Sequence, residues 1–245
     1  MVGLGFLRWL RARVGRAAVH TTTVALPGGV RVRVGVAAPP PEATACALVL
    51  CLHHAWDTTK PVPRGLGARL LEALFEPGLR DLRAVLVAPD CPGARWSDPD
   101  VEAALLSLIA ELRQRHRLAG DGVVLAGVSD GATAAWSFTC RHPAMVAAAV
   151  VIAGSPPPAW RAESSAPPIF AVHGRDDEVM PLAAVRTAIG LLRAHGVQAD
   201  LQVVEGSAHD DLAAFVDPLR ALVAPLRAIV SDRPRAGAPS APERG

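Results

Sequence analysis

The chain has 245 residues, of which 51% are hydrophobic and 20% are charged, and its formal net charge is +2. A chain of this length can bury one large core, and scattered charges near balance exclude the basic stripe that nucleic-acid binding requires. We therefore expect one main domain, residues 19–230, and no nucleic-acid partner. The four cysteines have no regular spacing, which fits a reducing, cytoplasmic compartment.

The two ends of the chain are predicted to lie outside the main domain. Residues 1–18 carry an apolar stretch only from Leu4 to Leu7, which is too short for a signal-peptide core. The same segment lacks the clean apolar face of a membrane-surface helix, so we expect an N-terminal arm without stable membrane insertion. Residues 231–245 are rich in Pro, Arg and Gly without periodicity, which predicts a disordered tail.

Hydrophobic periodicity predicts strands that alternate with helices along the rest of the chain. Residues 21–26 and 30–36 flank a Pro-Gly-Gly turn and predict an antiparallel hairpin. Short apolar runs follow, separated by helical stretches, at 47–52, 83–88, 122–126, 148–153, 168–173 and 200–204. The pattern predicts an α/β fold in which a mostly parallel central sheet carries helices on both faces.

A serine flanked by glycines follows the fifth predicted strand, in the segment Gly127-Val128-Ser129-Asp130-Gly131. An Ala-rich helical run comes directly after it. A residue at the apex of so sharp a turn is strained, and glycine two positions away on either side avoids a collision between helix and strand. The segment predicts Ser129 as a nucleophile. The alternative interpretation is an ordinary helix-capping serine.

A nucleophilic serine needs a base and a carboxylate that orients the base, and two later strand ends provide both. Asp177 follows the strand at 168–173, and His209 follows the strand at 200–204. The order Ser, Asp, His is the one found in α/β-hydrolases. The alternative roles are a cap of the helix that begins at Pro181, for Asp177, and the first turn of the last helix, for His209.

These motifs resemble those of compact α/β-hydrolases of the carboxylesterase, phospholipase/thioesterase and dienelactone-hydrolase group. The segment His173-Gly174-x-x-Asp177-x-x-x-Pro181 is similar to the acid motif of that group, and this identifies Asp177 rather than Asp176 as the acid. The similarity covers about residues 47–222. It implies a serine hydrolase that cleaves carboxylic esters or thioesters of small soluble substrates through an acyl-enzyme, with no cofactor.

The resemblance also implies an oxyanion hole after the strand at 47–52, where such enzymes usually carry His-Gly. This chain has His53-His54-Ala55, so His54 replaces the glycine. By this alignment the backbone N–H groups of Ala55 and Asp130 hold the oxyanion, and His54 contacts the substrate. Adjacent histidines on an extended segment point to opposite faces, so we predict no metal site here.

Three tryptophans, Trp56, Trp96 and Trp160, lie on loops that leave the carboxyl ends of strands, where ligands bind in open sheets. We predict that they line the substrate pocket, and the alternative is that they anchor their loops. Residues 154–167 occupy the commonest place for a lid in this fold but are too few to form one, so we expect an open site without a cap domain. Two other functions fit the same site, namely acyl transfer to an alcohol or amine and non-catalytic binding.

Overall fold

The computed structural model describes residues 18–38, 47–55, 63–116, 122–158 and 160–231. The predicted N-terminal arm and C-terminal tail lie outside these residues, except for positions 18 and 231. Within the described ranges one sheet has eight strands in the order β1-β2-β4-β3-β5-β6-β7-β8. The strands are β1 His20–Ala25, β2 Arg31–Ala37, β3 Leu48–Leu52, β4 Val85–Pro89, β5 Val123–Val128, β6 Val146–Ile152, β7 Ile169–Gly174 and β8 Ala199–Val204.

The first two strands form the predicted antiparallel hairpin, joined by a 3-10 turn at Pro27–Gly29. Gly28 and Gly29 have φ values of 77° and 81°, which favour glycine. Strand β2 also pairs antiparallel with β4, and all the remaining pairs are parallel. The prediction of a mostly parallel sheet with an N-terminal hairpin is confirmed.

Helices cover both faces of the sheet, as expected for parallel strands buried on two sides. Their bounds are α1 Leu66–Leu70, a π-helical turn Leu71–Phe75, α2 Glu76–Leu79, α3 Pro99–His116, α4 Asp130–Arg141, α5 Leu182–Ala194, α6 Val216–Ala221 and α7 Val223–Ser231. Helices α3, α4 and α5 pack into one apolar layer, and the segments at 66–82 and 212–231 pack into the other. Each fully buried large side chain, such as Trp136 or Phe75, stabilises the fold by about 2 kcal/mol.

Strand order determines where the site lies. After β3 the chain crosses to β4 on one side, and after β5 it crosses to β6 on the other, so the chain leaves β3 and β5 in opposite directions. The loops that follow these two strands therefore separate and leave a crevice at the carboxyl edge of the sheet, which is where α/β proteins bind ligands. Residues 53–55 and Ser129 lie at this crevice.

The described part of the connection between β6 and β7 carries no cap. Its described residues, 154–158 and 160–168, form turns and extended chain without a helix or strand. The mostly parallel sheet with helices on both faces has the topology expected for the α/β-hydrolase fold. In the part of the chain that the structure describes, no helix combines the length and apolar character needed to cross a membrane.

Candidate active site

Ser129 occupies a strained backbone position between β5 and α4. Its φ of 55° and ψ of −117° lie outside the favoured regions for a residue with a side chain, at a cost of about 1–3 kcal/mol. Two hydrogen bonds hold it there: its N–H donates to the Ile152 carbonyl at 2.9 Å, and its carbonyl accepts from the Thr133 N–H at 3.0 Å. The turn lifts the hydroxyl above the edge of the sheet.

The glycines on either side of Ser129 allow strand and helix to meet at very short range. A Cβ added to Gly127 would lie 2.2 Å from the Gly131 carbonyl oxygen, and one added to Gly131 would lie 2.4 Å from the Leu52 carbonyl oxygen. Backbone atoms of a packed core cannot move away from such contacts. Both positions therefore require glycine for steric reasons.

The structure brings Ser129, His209 and Asp177 together in a continuous line. Nε2 of His209 lies 2.9 Å from the Ser129 hydroxyl oxygen, and its Nδ1 lies 2.8 Å from Oδ2 of Asp177. His209 is 19% exposed, whereas the Asp177 side chain is fully buried. Both distances are those of hydrogen bonds.

The Asp177 carboxylate is held by its own loop. Its Oδ1 accepts hydrogen bonds from the N–H groups of Val179 at 2.9 Å and Met180 at 2.8 Å. Its Oδ2 lies 3.3 Å from Nε2 of His173, which also lies 2.7 Å from the Met180 carbonyl oxygen. Both neighbours of Nε2 are oxygen acceptors, so this nitrogen donates its N–H here, and burial lowers the pKa of His173. Asp176, by contrast, is exposed.

His54 is half-buried at the start of the crevice. Burial lowers the pKa of His54, and the nearby charge of His209 lowers it further, so the two imidazoles lie close enough to interact. Ala55 is exposed beside it, and Asp130 begins helix α4. Burial raises the pKa of the Asp130 carboxyl group, while a hydrogen bond from the Trp96 backbone opposes this shift.

The three tryptophans are placed differently from one another. Trp56 lies outside the described residues. Trp96 is 3% exposed, with its indole N–H donating to the His53 carbonyl oxygen at 2.8 Å. The Trp160 ring packs 5.3 Å from that of Trp136, which lies roughly 10 Å along the helix from Ser129. These contacts favour the anchoring interpretation of Trp96 and Trp160 over the pocket-lining one.

Two further residues shape the carboxyl edge: His53, which the sequence placed in the oxyanion segment without a role of its own, and Asp90, which it did not single out. His53 is buried, and both of its ring nitrogens are engaged by backbone groups of residues 54 and 91. The Asp90 carboxylate accepts the N–H groups of Gly65 at 2.7 Å and Gly67 at 2.9 Å, which ties the loop before α1 to the end of β4. A polar residue directly after a buried strand was the available signal for both.

Comparison with known proteins identifies the family of this chain. The sequence model described as the dienelactone hydrolase family matches residues 84–227. The chain belongs to the dienelactone hydrolase family. The matched segment includes Ser129, Asp177 and His209, and membership of this family supports hydrolase activity on esters. No curated protein matches the sequence.

Solved structures of esterases and serine hydrolases share the fold. A thermostable esterase is 19% identical with a TM-score of 0.59, and the match covers 85% of this chain but only 59% of that esterase. FphF, a fluorophosphonate-binding serine hydrolase of Staphylococcus aureus, is 13% identical with a TM-score of 0.67 over 89% of this chain and 100% of its own. A fungal esterase from Rhizomucor miehei is 17% identical with a TM-score of 0.65 over 92% and 88%.

Proposed function

We propose that the protein is a serine hydrolase that cleaves carboxylic esters or thioesters of small soluble substrates through an acyl-enzyme intermediate. The observation that carries the proposal is the line of two hydrogen bonds, from the Ser129 hydroxyl to His209 at 2.9 Å and from His209 to Asp177 at 2.8 Å. A nucleophile, a base and a group that orients the base are the parts that acyl transfer through serine requires.

In the proposed mechanism the Ser129 hydroxyl oxygen attacks the substrate carbonyl carbon while Nε2 of His209 takes the hydroxyl proton. The buried Asp177 carboxylate keeps the other ring proton on Nδ1 and stabilises the imidazolium. When the tetrahedral intermediate collapses, Nε2–H returns the proton to the departing alkoxide or thiolate. Water then repeats the sequence on the acyl-enzyme, releasing the acid and restoring Ser129.

The oxyanion of each tetrahedral intermediate is assigned to the backbone N–H groups of Ala55 and Asp130. Each such donor typically lowers the barrier by about 3 kcal/mol. Asp130 begins a 12-residue helix, whose N-terminal dipole adds to the attraction for a negative oxygen. The two residues follow β3 and β5, the strands that flank the crevice.

The absence of a cap in the described connection between β6 and β7 supports dissolved, small substrates. The described part of this connection has neither a helix nor a strand to enclose a long acyl chain or to rearrange at a lipid surface. We therefore expect the site to be open to a soluble ester on the side of this connection.

Labelling with a fluorophosphonate probe tests the proposal. We expect the wild-type protein to be labelled on Ser129, as mapped by mass spectrometry, and to hydrolyse a panel of short esters and thioesters. Ser129→Ala should remove both labelling and hydrolysis. Ser107→Ala is the matched control, because it removes a serine hydroxyl of α3 that donates to the Ala103 carbonyl oxygen, and it should leave both unchanged. Undiminished turnover in Ser129→Ala would refute the mechanism.

A further inference from the structure

The His53 side chain joins two loops at the edge of the sheet. It follows β3 directly and is 2% exposed. Its Nδ1 lies 2.7 Å from the His54 carbonyl oxygen, and its Nε2 lies 3.0 Å from the backbone nitrogen of Cys91, beyond β4. The His53 carbonyl oxygen accepts the Trp96 indole N–H at 2.8 Å, and the two rings pack 4.8 Å apart.

These partners determine the protonation of the ring. The Cys91 backbone N–H is a donor only, so Nε2 of His53 must be the acceptor and carries no proton. The single proton of the neutral ring is then on Nδ1, where it donates to the His54 carbonyl oxygen. Burial lowers the pKa of His53, which agrees with a neutral ring.

The His54 carbonyl and the Ala55 N–H belong to the same peptide unit. The peptide is planar and trans, so its C=O and N–H point in opposite directions. A hydrogen bond that holds the carbonyl toward the buried His53 ring therefore holds the N–H away from it, toward the crevice. We propose that His53 is a positioning residue that orients the Ala55 N–H for the oxyanion, an inference that depends on the proposed oxyanion role of Ala55.

The proposal explains how the loop keeps its orientation without the usual glycine. In this chain the peptide after residue 54 is fixed by the imidazole of the preceding residue, and not by the shape of residue 54 alone. The His54 side chain is then free to lie half-buried near His209 while its own carbonyl is held on the opposite side.

Two variants of equal size separate orientation from packing. Neither Asn nor Leu has an acceptor at the position of Nε2, which faces Cys91, but the Asn amide places an N–H donor where Nδ1 stood and Leu has none. Since an oxyanion donor acts in the transition state, His53→Leu should lower kcat about 10- to 100-fold with little change in KM, and His53→Asn should retain kcat within about fivefold. The longer Gln side chain places its amide oxygen near the position of Nε2, facing Cys91, and places no donor at the position of Nδ1, so His53→Gln should resemble His53→Leu. It is used in place of His53→Leu if the Leu variant does not fold.

Inhibition by a trifluoromethyl ketone supplies a readout that packing does not change. Its hemiketal oxyanion occupies the oxyanion hole, so we expect its Ki to rise in parallel with KM/kcat in His53→Leu and to stay near wild type in His53→Asn. Equal kcat and Ki for folded Asn and Leu variants would overturn the proposal. A wild-type protein that is not labelled on Ser129 would instead refute the underlying hydrolase mechanism.

Discussion

Replacing Asp177 by asparagine tests how the acid of the proposed triad is held. In the wild type, Oδ1 accepts two backbone N–H groups, from Val179 and Met180, and Oδ2 faces Nδ1 of His209. The single oxygen of an asparagine amide would keep the two backbone donors, so its NH₂ group would face His209. The His209 ring would then present an unprotonated Nδ1 and carry its proton on Nε2, where it cannot accept the Ser129 proton.

This tautomer change should lower kcat by a factor on the order of 10⁴ at neutral pH. The same NH₂ group would also meet the Nε2–H of His173, 3.3 Å from the present Oδ2, and this should reduce the free energy of unfolding by about 1–3 kcal/mol. We would measure kcat on p-nitrophenyl acetate and the free energy of unfolding by denaturant titration. The folded state of the variant is checked by circular dichroism.

Asp176→Asn is the matched control, because Asp176 is the exposed neighbour of the buried acid. It should keep kcat within about threefold, as expected for a surface charge outside the hydrogen-bonded line. A loss in Asp176→Asn equal to or greater than that in folded Asp177→Asn would show that the acid had been assigned to the wrong carboxylate.

Three more experiments test the loops and the open site. His54→Gly should preserve or raise kcat and cost up to about 1 kcal/mol of unfolding free energy, whereas collapse of kcat in the folded variant would assign a substrate contact to the imidazole. Gly131→Ala should abolish activity or folding because its Cβ would lie 2.4 Å from the Leu52 carbonyl oxygen. Gly190→Ala is the control, because its Cβ would meet nothing within 4 Å, and it should retain both kcat and the free energy of unfolding. Initial rates on short-chain p-nitrophenyl esters should saturate smoothly, and a sharp rise at micelle formation with long chains preferred would contradict an open site.

The sheet was predictable because buried parallel strands are continuous apolar runs. Every residue of β5 and of β6 is buried, and the sequence shows each strand as an unbroken stretch of small and branched side chains. The bounds were less predictable, since β6 begins at Val146 and not at residue 148. Ala147 is apolar in either a strand or a loop, so periodicity alone does not locate the start.

The candidate site was predictable as far as each residue follows a strand. Ser129 follows β5, and Asp177 and His209 lie in the loops after β7 and β8, so all three were expected at one edge. Whether the three side chains touch depends on the course of the loops, which the positions of the strands do not determine. For the same reason the sequence did not predict the contacts of two tryptophans. Trp160 packs against Trp136 of α4, and the Trp96 indole N–H donates to the His53 carbonyl oxygen. No local pattern specifies such partners.

The adjacent side chains of His53 and His54 lie in different surroundings, as alternation along an extended segment predicts. An extended segment sends neighbouring side chains to opposite faces, and here one imidazole is buried against the loop after β4 while the other is half-buried near His209. Burial and the charge of His209 both lower the pKa of His54. A neutral His54 places no positive charge beside the imidazolium that forms on the proposed base.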